Sequence, residues 1–382
     1  MSTETPAPEQ ERAEARRKRP ARPGWPGSRR ASAGPEAALN IADLGHQDNL
    51  RSDDWDEFHR RLSQVCNDAC ARLSRQLLDR IYVGSYFCDR FFLSLDGGFY
   101  ESLARFCGTY GLKATLVVPL FGQSTLKAGK ARVEKLVALR GDDGPLFDEV
   151  VANDPAAALF LGELAGGRPG DGQTADEGEP DAAGGKRPLR IVYGRMMAKS
   201  SRDPRHDVMA DAPQPYALDA QQAAELAARF GYSMAECDPT APVVDASAFG
   251  DALPLAVHAP HCLMTTGHIC QQASLDLPRD RKFRADAPCR QECLRGVQVY
   301  EHHSYDSGEP RWFTRAGRTV YFENPAFELE GARAARIVWT PSDFLCGRAD
   351  DTWQPQADGT WQQDPAQPAW EWAYEEGGAQ WE

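Results

Sequence analysis

Between about Asp53 and Leu78, the residues Trp55, Phe58, Leu62, Val65, Leu73 and Leu77 recur at the spacing that gathers apolar side chains on one helical face. The short β-rich run Arg80-Ile81-Tyr82-Val83-Gly84 follows and predicts a strand closed by glycine, then a helix over Gly98–Tyr110 and a strand over Ala114–Leu120. The alternation continues with a helix over Ala128–Leu139, a strand over Phe147–Val151, a helix over Pro155–Leu164 and a strand over Leu189–Tyr193. A further helix over Asp219–Phe230 and strands over Leu255–His258, Val297–His302, Thr319–Glu323 and Arg336–Thr340 complete the pattern. Serial β–α units imply a parallel sheet buried on both faces and joined by right-handed crossovers, as a closed barrel or an open doubly wound sheet.

The pattern fades in three places. Positions 1–50 are rich in Pro, Ala and Arg, lack the apolar core of a secretory signal, and are expected to form a disordered basic tail. Positions 51–345 hold the α/β domain, interrupted at 166–188 by Gly, Asp, Glu, Ala and Pro that cannot bury enough apolar surface to offset ordering entropy; this is read as a flexible insertion. Positions 346–382 form an acidic tail with Trp353, Trp361, Trp370, Trp372 and Trp381, expected to pack back on the domain or to engage a partner through aromatic surface.

With 382 residues, 42% hydrophobic, the chain can build a sizeable core. Its formal charge of −13 excludes a net field drawing the whole protein to nucleic acid or an anionic membrane. The local runs Arg16-Arg17-Lys18-Arg19 and Arg29-Arg30 offer either a footing for RNA or a solubilising tail. No stretch approaches the roughly 18 uninterrupted apolar residues of a membrane span, so a cytoplasmic location with reduced thiols is expected. No phosphate-binding G-x-x-x-x-G-K-[ST] loop, G-x-S-x-G serine elbow or H-E-x-x-H zinc helix is present, which leaves NTPase, α/β-hydrolase and zincin readings unsupported.

Reduced conditions give meaning to the ten cysteines. Cys66, Cys70, Cys107, Cys237 and Cys346 read as small buried apolar residues. By contrast Cys262, Cys270, Cys289 and Cys293 fall close together, in the cysteine-rich stretch 258–293, and form a candidate metal site. Four thiolates suit tetrahedral zinc or the corners of a [4Fe–4S] cluster. Zinc ribbons use two short C-x2–4-C knuckles, and only Cys289/Cys293 fits that spacing. His258, His261 and His268 are read as hydrogen-bonding supports. After the strand ending at Tyr193, Arg195, Lys199, Arg202 and Arg205 lie at the strand edge where α/β proteins hold ligands, and could receive a carboxylate or phosphate unless the loop is simply solvated.

The run His258-Ala-Pro-His-Cys262, then Gly267 and Cys270, then Cys289-x3-Cys293, resembles the cysteine signature of the collagenase-like peptidase family, peptidase U32, which begins H-G-A-x-C and ends C-A-Q-P-C. Ile81-Tyr82-Val83-Gly84-Ser-Tyr-Phe-Cys88-Asp-Arg90 is similar to the Y-L-G-E-x-x-C-S-K-R stretch of that family's anaerobic ubiquinone-hydroxylation branch, with Cys88 at the position of a cluster ligand. Ser85 and Ala259 depart from the pattern, where the branch has Glu and the family has Gly. The resemblance implies a TIM-barrel-like α/β fold with the cluster at the C-terminal strand ends. It also implies a [4Fe–4S] cofactor with Cys88 and Cys270 competing for the fourth position, and hydroxylation or related modification of a small aromatic or nucleobase-containing substrate. A related second subunit would be the partner. On this reading His258 bonds a thiolate or the substrate, and Arg195 with Arg205 orients an anionic group. Two alternatives stand beside it: U32-type peptidase activity, and a non-enzymatic scaffold stabilised by zinc or a cluster.

Overall fold

The computed structural model describes residues 34–42, 50–165, 189–198, 220–239 and 253–341, apart from short stretches within them, and strands at 353–355 and 361–363. Seven parallel strands succeed one another in chain order: β1 (Glu36–Asn40), β2 (Arg80–Gly84), β3 (Lys113–Val118), β4 (Phe147–Ala152), β5 (Arg190–Tyr193), β6 (Tyr232–Cys237) and β7 (Leu255–Ala259). The chain then leaves the ring for β8 (His261–Thr266), β9 (Gln298–His303), β10 (Pro310–Ala316) and β11 (Thr319–Glu323), an antiparallel sheet in the order β8-β11-β10-β9. It returns as β12 (Arg336–Trp339), which pairs in parallel with both β7 and β1 and closes an eight-stranded barrel. The fold is therefore a TIM-barrel-like α/β barrel with a β insertion between its seventh and eighth strands.

The helices α1 (Trp55–Arg72), α2 (Asp89–Ser94), α3 (Gly97–Tyr110), α4 (Leu126–Val137), α5 (Pro155–Leu164) and α6 (Ala220–Phe230) lie between the strands. Helix α1 starts at Asp54, whose carboxylate accepts the Asp56 N–H, and turns Phe58, Leu62, Val65 and Ala69 into the core. It stops at Arg72 although Leu73 and Leu77 continue the apolar spacing, because Ser74 takes a φ of 51° and breaks the hydrogen-bond ladder. Asp154 and Pro155 start α5 in the same way, a capping carboxylate followed by a φ already suited to a helix. Strands β2 and β7 are buried along their whole length, as expected where helices cover the outside and side chains fill the inside.

The N-terminal floor of the barrel is an ion network. Arg336 on β12 holds Glu149 of β4 and Glu36 of β1, each at 2.6 Å, and Arg80 on β2 holds Asp148 at 2.6 Å and Glu36 at 3.2 Å. Burial pushes the Glu149 carboxyl up, but the Arg80 and Arg336 charges outweigh it and hold the pKa at about 2. With the floor sealed by paired charge, the opposite rim is the place for chemistry.

Strand β1 falls within the stretch read as a tail; its Glu-Ala-Ala-Leu-Asn lacks β-branched residues, and only the flanking strands β2 and β12 make it a strand. Strands β6, β8 and β10 carry no such signal in the sequence, and the segment holding Cys262 is strand β8. The insertion at 166–188 and nearly all of the acidic tail lie outside the described residues; within 346–382 Trp353–Pro355 and Trp361–Gln363 pair as a two-stranded sheet. Among the described residues no helix is long and apolar enough to cross a membrane.

Candidate metal centre

The site is built from the end of β2. Gly84 has φ +111°, and a Cβ there would sit 2.2 Å from the Val117 carbonyl oxygen, so a glycine is required for the chain to turn against β3. The Ser85 hydroxyl oxygen then accepts the backbone N–H of Cys88 at 3.0 Å and of Phe87 at 3.4 Å, folding the loop so that Cys88 caps α2. The Cys88 Sγ accepts the Phe91 N–H at 3.4 Å.

Two thiols of the insertion are held alike. Cys270 Sγ accepts the Ala273 N–H at 3.5 Å from a short 3-10 turn, and Cys289 Sγ accepts the Gln291 N–H at 3.4 Å. Burial pushes the Cys293 thiol far up, and Cys88, Cys270 and Cys289 push it further by their charge. Burial raises Cys88 as well, to about 11, against the lowering charge of Arg318. Four thiols from two distant parts of the chain thus share one partly desolvated volume. Among the described residues, no three His, Cys, Asp or Glu side chains close onto a single-ion position.

Cys262 is used differently. Fully buried on β8, it donates its S–H to the Pro239 carbonyl oxygen at 3.2 Å. That bond needs the protonated thiol, while N–H donors favour the thiolate.

At the C-terminal half of the barrel interior, His258 on β7 lies fully buried between the Tyr82 and Tyr86 rings, both edge-on to it. Its Nε2 is 3.2 Å from Glu236 Oε1, which also accepts the Tyr86 hydroxyl at 2.9 Å; Glu236 Oε2 accepts the Arg195 N–H at 3.1 Å. With Nε2–H directed at the carboxylate, Nδ1 is a buried ring nitrogen with no hydrogen-bond partner among the described residues. Glu236 and Tyr86 escaped the sequence reading because β6 was missed and Tyr86 carried no spacing signal beyond standing two residues before Cys88.

The Arg195 guanidinium is buried, bonded to Asp238 and to the His261 carbonyl oxygen, and lies over the Tyr86 ring. It braces the ends of β5, β6 and β8 against one another. Lys199, Arg202, Arg205 and His268 lie outside the described residues.

No family model matches the chain, and no curated protein matches it. Among solved structures, one described as a U32 peptidase aligns over 83% of this chain and 96% of its own, with 12% identity and a TM-score of 0.36. A superposition that loose assigns no family.

Proposed function

We propose that this chain is an iron–sulfur protein in which Cys88, Cys270, Cys289 and Cys293 hold a [4Fe–4S] cluster at the C-terminal rim of the barrel, with His258 of the barrel interior acting on the substrate. The observation that carries the reading is that the Cys88, Cys270 and Cys289 sulfurs each accept a backbone N–H and all three act electrostatically on the Cys293 sulfur, whereas Cys262 donates its proton to a carbonyl. Such N–H donors stabilise thiolate and tune a cluster bound to it. Cys262 is accordingly assigned as a protonated structural thiol. The bound cluster would supply one-electron transfer.

The residues around it supply the rest. Glu236 and Tyr86 hold the His258 ring in one orientation from its Nε2 side, which leaves Nδ1 as the proton acceptor for a substrate N–H or O–H. Arg195 serves as a brace for that rim, and is not assigned to the substrate. Modification of an aromatic or nucleobase substrate, hydroxylation included, is the reaction class that the cysteine resemblance brings to this arrangement. The test is the iron, acid-labile sulfide and zinc content of anaerobically purified protein, with its visible absorption. Near-stoichiometric iron and sulfide are expected; zinc without sulfide would overturn the proposal in favour of a zinc-stabilised scaffold or a hydrolase.

A further inference from the structure

Arg318 lies just before β11, on the inserted sheet, 231 residues beyond Phe87 in the chain, and its side chain is only 9% exposed. Its Nε donates to the Phe87 carbonyl oxygen, immediately before Cys88, and its Nη2 lies 3.4 Å from Asp89 Oδ1, immediately after it. The guanidinium therefore straddles the cysteine. Asp89 pairs with it through Oδ1 and is itself held in place, its Oδ2 engaged by the Gly122 N–H at 3.0 Å and the Thr125 hydroxyl at 2.6 Å. At the Cys88 sulfur the Arg318 charge opposes the effect of burial and outweighs the contrary charge of Asp89.

We propose that Arg318 is a positioning residue that sets the reduction potential of the cluster, by fixing a buried positive charge against its Cys88 corner. This rests on the cluster reading above. On taking one electron from an external reductant, a thiolate-ligated cluster gains one negative charge. A cation held close to it in a low-dielectric setting stabilises that reduced form more than the oxidised one. Arginine suits the role because it stays charged when buried and its fork engages both flanking groups at once. A purely mechanical clamp between sheet and barrel would affect assembly and leave the potential alone.

The experiment is a dithionite titration, with mediators, of anaerobically purified full-length wild type, Arg318→Gln and Arg318→Lys. Cluster absorption and electron paramagnetic resonance follow the reduction, with iron and sulfide measured on each sample. Arg318→Gln with a full cluster is expected to show a midpoint shifted to more negative potential, and Arg318→Lys a midpoint near wild type. A full cluster with an unmoved midpoint in Arg318→Gln overturns the proposal. Should Arg318→Gln fail to assemble a cluster, Arg318→Lys decides: a cluster at the wild-type midpoint supports the charge role, and failure to assemble overturns it in favour of the clamp. Wild type lacking iron and sulfide would instead sink the cluster reading itself, which separates the two failures.

Discussion

His261 stands directly before Cys262 on β8, and burial first, then the Arg195 charge, pushes its pKa from 6.5 down to about 4. Below about 6.5 the unfolded chain takes up a proton that the folded chain refuses until about 4, so this group's contribution to stability is present above that window and lost as pH falls through it. The loss amounts to roughly 3 kcal/mol when complete. Urea denaturation of wild type and His261→Gln between about pH 7.5 and pH 4.5 isolates the effect, because other acid-sensitive groups are common to both. Wild type is expected to lose more stability over that interval than the variant, and parallel losses would show that His261 is not kept neutral in the fold.

Among the elements, the β2–α2 turn carries the most consequence for the site. Gly84→Ala would force a Cβ onto the Val117 carbonyl oxygen and a side chain into φ +111°. It should cost at least about 2 kcal/mol and shift the Ser85–Cys88 loop, lowering both the melting temperature and the iron retained. An unchanged melting temperature would mean that β2 and β3 can part there without penalty. Elements whose own residues carry the signal were legible in the sequence: β2, β3, β4 and β5 through compact apolar runs, and α5 through its Asp-Pro start. Strand β1 was not, because its burial is conferred by partners some 40 and 300 residues away. Strand β6 was hidden by Glu236, a charge that belongs inside the barrel only because Tyr86, His258 and the Arg195 N–H meet it there. The cysteine cluster was visible as spacing, but spacing ranks Cys262 with Cys289 and Cys293. What the structure adds is the direction of the sulfur hydrogen bond at Cys262 and at Cys289.

For the molecule as a whole, the barrel's two ends divide the labour. The floor joins first and last strands, with Glu36 opposite Arg336 in register and Glu149 beneath both. Arg336→Leu removes the closest cation from the buried Glu149 and from Glu36, leaving them to Arg80 and Arg190, and should destabilise by about 2–4 kcal/mol in urea denaturation, whereas adding Glu149→Leu should recover part of the loss. Additive losses in the double variant would contradict a mutual ion-pair role. At the other end, Cys88 of the β2–α2 loop acts on Cys293 of the insertion, and the Glu236–His258 pair is buried inside the barrel.

The most direct measurement is iron and acid-labile sulfide per chain in anaerobically purified Cys88→Ala and Cys262→Ala. Loss of both in Cys88→Ala, with both retained in Cys262→Ala, is the predicted result; a cluster that survives without Cys88 and disappears without Cys262 would contradict the account.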